Sequence, residues 1–406
     1  MKTMKKKIKP ASRTRNVSYA VRDVIVIADQ AAASGMEMTY LNIGDPNKFD
    51  YRTPDHIVEA AFRAARGNFN SYAPSSGIPE ALEAIERDLA DKRIPAPLYT
   101  FIGTGATEVI DISLTSLVEE GENVLVPCPG YPTYSAILAK LKAESRPYYL
   151  DEEKEWQPDI EEIRGLIDAK TRAIILINPN NPTGGYYGKE IVQGLADLAE
   201  EFGIVLFSDE IYDRLLLNDR PFVSPAALNP RAPVITINGL SKNYLAPGWR
   251  LGWGAFTGPG DLMEEYIEAV QKLVRARLCA NHPEQWAIPA ALGEGQEHLH
   301  EVRAKLVARR DLAMDILNAC PGISCVRPEG AFYAFPRIEI EGSDREFVTG
   351  LIRKTGVVVV PGSGFGQAPG TNHFRLVFLA PEDILGPACE KIVRFYRGYP
   401  GARPPA

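Results

Sequence analysis

The sequence predicts an α/β protein: a large domain with a mostly parallel sheet between helices, and a smaller α/β domain beside it. Two observations carry this expectation. Short apolar runs recur through the middle of the chain, each stopping on polar residues, and segments of helical length separate them. The 406 residues are also 45% hydrophobic, enough for one large or two medium cores.

The elements follow in chain order. Thr104-Gly105-Ala106-Thr107 opens an amphipathic helix whose apolar positions include Val109, Ile110, Ile112 and Leu117. Asn123-Val124-Leu125-Val126 reads as a strand, and Ala173-Ile174-Ile175-Leu176-Ile177 as a buried one ending in a Pro/Asn turn. A helix over 189–202 precedes a strand over 203–208. Strands over 234–238 and 250–256 then lead to a long helix over 261–278. Together these define an α/β domain of residues 49–294. Residues 295–406 carry further helices and short strands, including 356–360, and join residues 1–48 as a smaller lobe.

Charge and composition exclude several classes. The net charge is −7, with no basic stripe of the kind that nucleic acid demands. Five lysines within the first nine residues read as a solvated tail; without an apolar core they make no signal peptide. No run of about 18 apolar residues suggests a membrane span. Five cysteines without a CxxC pair are expected as reduced thiols in the cytosol. The five histidines form no metal box, and His298 and His300, two apart, are expected on the surface.

Three strand ends carry chemistry. The first apolar run ends in Asn178-Pro179-Asn180-Asn181-Pro182-Thr183-Gly184. Residues before proline are held extended, so the amides of Asn178 and Asn181 can be aimed at a ligand outside the carboxyl end of a parallel strand. The next strand ends in Ser208-Asp209-Glu210-Ile211-Tyr212, and the one after delivers Lys242, with Arg250 close behind. An Asp and a Lys at the ends of hydrophobic strands fit a core poorly unless they serve a ligand. Burial disfavours the charged form of each, and a lysine with a lowered pKa is what Schiff-base chemistry needs.

In this order, NPNNPTG at 178–184, SDEIY at 208–212, LSKNYLAPGWRLGW at 240–253 and FRLVF at 374–378 resemble the class I pyridoxal-phosphate-dependent aminotransferases. Asn181, Asp209 and Lys242 follow one another at intervals of 28 and 33 residues. The resemblance runs from Tyr19 to about Phe395 and implies the aspartate-aminotransferase-like fold (type I of the pyridoxal-phosphate enzymes). The division into lobes leans on it. NVSYAVR at 16–22, LNIGDP at 41–46, WQPDI at 156–160, NGLSK at 238–242 and RLCAN at 277–281 are most similar to the alanine aminotransferases.

The resemblance implies a role for each residue. Lys242 forms the Schiff base with the cofactor aldehyde and then serves as general acid and base. Asp209 pairs with the pyridine nitrogen, while Tyr212 and Asn181 hydrogen-bond the phenolic oxygen. Tyr131 stacks on the ring. Gly105, Ala106 and Thr107 at a helix start suit the phosphate dianion, with Arg250 as a charged partner. Tyr72 reaches the phosphate from the neighbouring subunit, which implies a homodimer with shared sites. Family members often carry Ser or Thr three places before the lysine, where this chain has Gly239. Either Ser241 compensates or the phosphate is held by one hydroxyl fewer.

Arg375 offers a guanidinium fork to the substrate α-carboxylate, with Asn181 and the backbone at Gly44 completing that pocket. Tyr19 and Arg22 are candidates for closing over the substrate, Arg22 meeting the distal carboxylate of glutamate. The expected reaction is L-alanine and 2-oxoglutarate to pyruvate and L-glutamate by a ping-pong mechanism. Aspartate, aromatic and branched-chain aminotransferases are the alternatives. A nicotinamide dehydrogenase is excluded: Gly103-Thr104-Gly105 has Glu108 where a dinucleotide loop needs its third glycine, and residues 362–366 lead into no helix.

Overall fold

The computed structural model describes residues 8–15, 17, 20–293 and 295–403, with the backbone alone for 20–23. Tyr19 and the Arg22 side chain therefore lie outside the described residues.

One eight-stranded sheet dominates. Its strands are β1 (Tyr99–Thr104), β2 (Asn123–Cys128), β3 (Glu144–Asp151), β4 (Gln157–Pro158), β5 (Thr171–Ile177), β6 (Val205–Asp209), β7 (Val234–Gly239) and β8 (Leu251–Thr257). They lie in the order β1-β8-β7-β6-β5-β2-β3-β4. The run from β7 to β3 is parallel, β8 opposes both its neighbours, and the two-residue β4 closes the far edge antiparallel. Period-2 alternation divides each central strand between two cores. Ile174, Leu176 and Leu206 face one side with Val192 and Leu195 of the helix Lys189–Phe202. Ile175, Ile177 and Phe207 face the other with residues of the helices Ala106–Leu117, Pro132–Leu141 and Gly260–Ala276.

Strand order reverses between β2 and β5: the chain steps outward to β3 from β2, and in the opposite direction to β6 and β7 from β5. A crevice opens outside the carboxyl ends at such a reversal. Tyr131 follows β2 there, and the Asn/Pro heptapeptide follows β5.

The mostly parallel sheet between helices matches the expected fold, with shifted ends. β6 starts at Val205 rather than 203 because Gly203, at φ +61°, caps the preceding helix in the left-handed conformation. The valine run at 356–360, expected as one strand, divides instead. Val357–Val358 pairs in parallel with Thr39–Tyr40, and Val360–Pro361 pairs antiparallel with Phe374–Val377. All four valines are fully buried, so the run is apolar because it is enclosed, and it crosses between two small sheets. Tyr333–Ala334 joins Phe374–Val377 on its other edge. The helices His298–Asn318, Asp344–Thr355 and Glu382–Arg397 cover this part of the molecule. Among the described residues, no helix is long and apolar enough to cross a membrane.

Candidate active site

A cavity of about 210 Å³ lies at the crevice. Gly44, Ala106, Thr107, Tyr131, Asn181, Asp209, Tyr212, Ser241, Lys242, Arg250 and Arg375 all line it. Residues that the sequence spreads over more than 330 positions thus meet in one place.

Asp209 is the last residue of β6 and is almost fully buried. Burial pushes its carboxyl up to about 6, against the Tyr134 hydroxyl (donating to Oδ2 at 3.0 Å), the Ile211 N–H and the Lys242 charge. Lys242 follows β7. Burial pulls its ammonium down to about 8; Asp45 opposes this, and the charges of Arg375 and Arg250 add to it. Its Nζ donates to the carbonyl of Gly44 at 2.7 Å and stands 5.4 Å from the Phe332 ring centroid. A lysine so shifted carries a useful fraction of free amine near neutral pH, the form that attacks a carbonyl. The Tyr212 hydroxyl is buried, which raises its pKa well above the ordinary value, and it lies 2.9 Å from the hydroxyl of Tyr333.

At the start of the helix Ala106–Leu117, two glycines create a cradle. Gly105 has φ +75°, and a Cβ there would stand 2.5 Å from Nη2 of Arg250. A Cβ at Gly252 would reach the Ala106 nitrogen at 2.3 Å. Without those side chains, the guanidinium and the helix start converge: Arg250 Nη2 lies 3.5 Å from Thr107 Oγ1. The N–H groups of a helix start, its positive end and a guanidinium together could hold an anion, and such donors suit a phosphate dianion.

Arg375, which lines the same cavity, is buried. It donates to Oδ1 of Asn181 at 3.0 Å and to the carbonyl of Asn42 at 2.5 Å, between the rings of Tyr333 and Phe365, each 4.7 Å away. Gly44 has no side chain because the Tyr333 hydroxyl occupies that space, 2.2 Å from where a Cβ would be.

Within the heptapeptide only Asn181 reaches the cavity. Asn178 spends its amide on the backbone of Tyr187 at 3.0 and 3.1 Å, and Asn180 accepts from the backbone and hydroxyl of Thr183, so both hold the turn. Tyr72 is 81% exposed and does not line the cavity. Of the two histidines expected on the surface, His300 is exposed, while His298 is half-buried and donates from Nε2 to the carbonyl of Asn243, beside Lys242, at 2.9 Å. Tyr134 and Tyr333 were not singled out from the sequence. Tyr134 follows Tyr131 by three residues at the start of a helix, and that spacing was the one signal available.

A buried lysine of lowered pKa, a buried carboxylate and an anion cradle in one crevice could together hold a phosphorylated carbonyl compound, with the lysine able to bond to it covalently. The profile of the family described as aminotransferase class I and II matches residues 37–392. The glutamate-pyruvate aminotransferase AlaA of Escherichia coli is 36% identical over 408 residues, covering 97% of this chain and 98% of its own. The alanine aminotransferase of Mycobacterium tuberculosis is 36% identical over 404 residues, covering 96% and 92%. Among solved structures, the alanine aminotransferase from Pyrococcus furiosus superposes with a TM-score of 0.92 at 39% identity, covering 96% of this chain and all of that one. The chain belongs to the class I and II aminotransferases and is a transaminase.

Proposed function

We propose that the protein is a cytosolic, pyridoxal 5'-phosphate-dependent alanine aminotransferase, converting L-alanine and 2-oxoglutarate to pyruvate and L-glutamate by a ping-pong mechanism. The observation that carries this is the buried Lys242, lowered to about 8, sharing one cavity with Asp209 and Arg375. The names of the three similar proteins support alanine as the amino donor.

The bound cofactor would supply an aldehyde for the amino group and a ring that accepts the electrons left when the α-proton departs. Lys242 would be the covalent partner of that aldehyde and, as a free amine, would carry the proton from the substrate α-carbon. Asp209 would pair with the ring nitrogen and keep a proton on it. Asn181 and Tyr212 would donate to the phenolic oxygen, and Tyr131 would stack on the ring. Gly105, Ala106, Thr107, Ser241 and Arg250 would hold the phosphate. Arg375 binds the α-carboxylate, helped by Asn181 and Gly44, and Tyr19 and Arg22 close over the substrate.

We further infer a homodimer in which Tyr72 completes the partner's phosphate site; its exposure supports this, since a large aromatic left in water is a candidate for burial in an interface. In this reading residues 49–294 form the large domain, and residues 1–48 with 295–406 the small one. The pairing of Thr39–Tyr40 with Val357–Val358 supports joining the two terminal segments.

The test is the visible spectrum of the purified protein before and after L-alanine, with pyruvate assayed in the same tube. Loss of the lysine-bound absorption with matching pyruvate is expected. A band indifferent to alanine would move the donor to aspartate, aromatic or branched-chain amino acids. No band after cofactor addition would sink the reading.

A further inference from the structure

Behind the cavity, four residues after Asp209 and next to Tyr212, lies a carboxylate that touches nothing in the site. The side chain of Asp213 is 1% exposed. Its Oδ2 lies 2.6 Å from the Lys92 ammonium, at the end of the helix Pro79–Asp91. Its Oδ1 accepts two amides: Asn238 at 3.1 Å, within β7, and Asn243 at 2.6 Å, immediately after Lys242. Asn238 in turn accepts from the N–H of Gly239 at 2.8 Å, and His298 donates to the carbonyl of Asn243 at 2.9 Å.

Lys92 has a second counter-charge in Asp88, 2.8 Å from the same ammonium and shared with Arg214, so charge balance needs only one oxygen of Asp213. What Asp213 adds is its second oxygen, spent on the residues that flank the Lys242 loop. The segment carrying Asp209 and Tyr212 is thereby tied to the segment carrying Lys242 by two hydrogen bonds to a buried charge. Such bonds are about twice as strong as neutral ones and fix geometry as well as energy.

We propose that Asp213 is a positioning residue for Lys242: its carboxylate, charged against Lys92 and anchored on Asn238 and Asn243, sets the place of the Lys242 amine relative to Asp209 and Tyr212. This rests on the reading that those three residues carry the chemistry. Asp213 itself touches neither substrate nor cofactor. Lys92 is its support, and the Asp88–Arg214 ion pair on the far side keeps the cluster balanced. In Asp213→Asn one oxygen can still accept both amides, but the amide nitrogen then faces the Lys92 ammonium, donor against donor. Replacing Lys92 by Met in the same chain removes that conflict, so the double variant is expected to recover what the single one loses.

Two measurements on wild type, Asp213→Asn, Asn243→Ala and Lys92→Met/Asp213→Asn test this. In cofactor-free protein, hydrogen exchange over residues 240–246 should rise by about tenfold or more in both single variants, while β5 keeps its protection, and fall back in the double variant. With pyridoxal phosphate and alanine, kcat should fall by roughly 10- to 100-fold in Asp213→Asn, with KM little changed because Arg375 is untouched, and recover in the double variant. Unchanged exchange at 240–246, or a double variant no better than the single, overturns the proposal. If Asp213→Asn does not fold, Asn243→Ala, which leaves the Lys92–Asp213 pair intact, decides alone. Faster exchange in the single variants, with a wild type that never binds the cofactor, would uphold the clamp and remove the functional reading instead.

Discussion

The hydroxyl of Tyr134 lies 3.0 Å from Oδ2 of Asp209, 75 residues further along the chain. Burial holds this phenol well above its ordinary pKa, so its proton stays in place to be donated. Burial disfavours the anionic form of Asp209, and Tyr134 is the first of the forces opposing that.

Tyr134→Phe removes the donor and leaves the packing of the ring. A hydrogen bond to a charged group is worth about 1.5–3 kcal/mol, so cofactor affinity should fall roughly 10- to 100-fold. Titration of cofactor-free protein with pyridoxal phosphate, followed by absorbance, measures it. Wild-type affinity in this variant would detach Tyr134 from the site.

Asp209 also gives stability a pH dependence of definite sign. Its folded value, about 6, lies above its ordinary value of 3.8, so the folded chain binds this proton more tightly than the unfolded chain does. The penalty is absent below about 3.8, grows as pH rises, and is complete above about 6. In cofactor-free protein, Asp209→Asn should therefore stabilise by up to about 3 kcal/mol at pH 8 and by almost nothing at pH 4, while abolishing catalysis. Denaturant unfolding at the two pH values checks this. An equal difference at both would show that the carboxyl is not desolvated as its position implies.

How much of this was legible follows from the kind of signal each residue leaves. Asp209 and Lys242 stand out because a charge at the end of an apolar strand breaks a pattern. Asn181 stands out because prolines frame it. Arg375 breaks no local pattern, and only the resemblance promoted it; its contact with Asn181 spans 194 residues, which periodicity cannot see. Tyr134, Tyr333 and Asp213 look in sequence like an ordinary helix aromatic, a core aromatic and a loop acid. Their roles arise from packing between elements, and no spacing rule encodes that. The valine run at 356–360 misleads for the same reason, since burial makes it apolar whichever sheet it joins.

Gly239, where many relatives in the resemblance carry a hydroxyl, has a structural explanation. It pairs with Gly252 across β7 and β8, and a Cβ at 239 would lie 2.7 Å from the carbonyl of Leu251 and 2.9 Å from the Gly252 Cα. Both contacts are backbone and cannot step aside. Gly239→Ser is expected to cost about 1–3 kcal/mol of stability and to add nothing to cofactor affinity. Thermal unfolding with and without pyridoxal phosphate separates the two effects. Tighter cofactor binding would mean that the strand pair yields and that a hydroxyl at 239 reaches the phosphate.

Arg375→Lys tests the substrate side. The guanidinium is fixed by Asn181 and by the Asn42 carbonyl, between two rings, so its fork is already oriented when a carboxylate arrives. An ammonium keeps the charge but forfeits the second parallel hydrogen bond and the flat stacking surface. Loss of one charged hydrogen bond corresponds to about 1.5–3 kcal/mol, so KM should rise roughly 10- to 100-fold. The α-carboxylate is common to every substrate, so alanine and glutamate should suffer alike. Arg22→Ala should behave differently. If Arg22 meets the distal carboxylate, glutamate and 2-oxoglutarate weaken while alanine and pyruvate do not. Steady-state kinetics of both half-reactions in the two variants resolve the matter. Equal losses in Arg22→Ala would leave Arg22 as a closing residue, and an Arg375→Lys variant with unaltered KM for both amino acids would move the α-carboxylate elsewhere in the cavity.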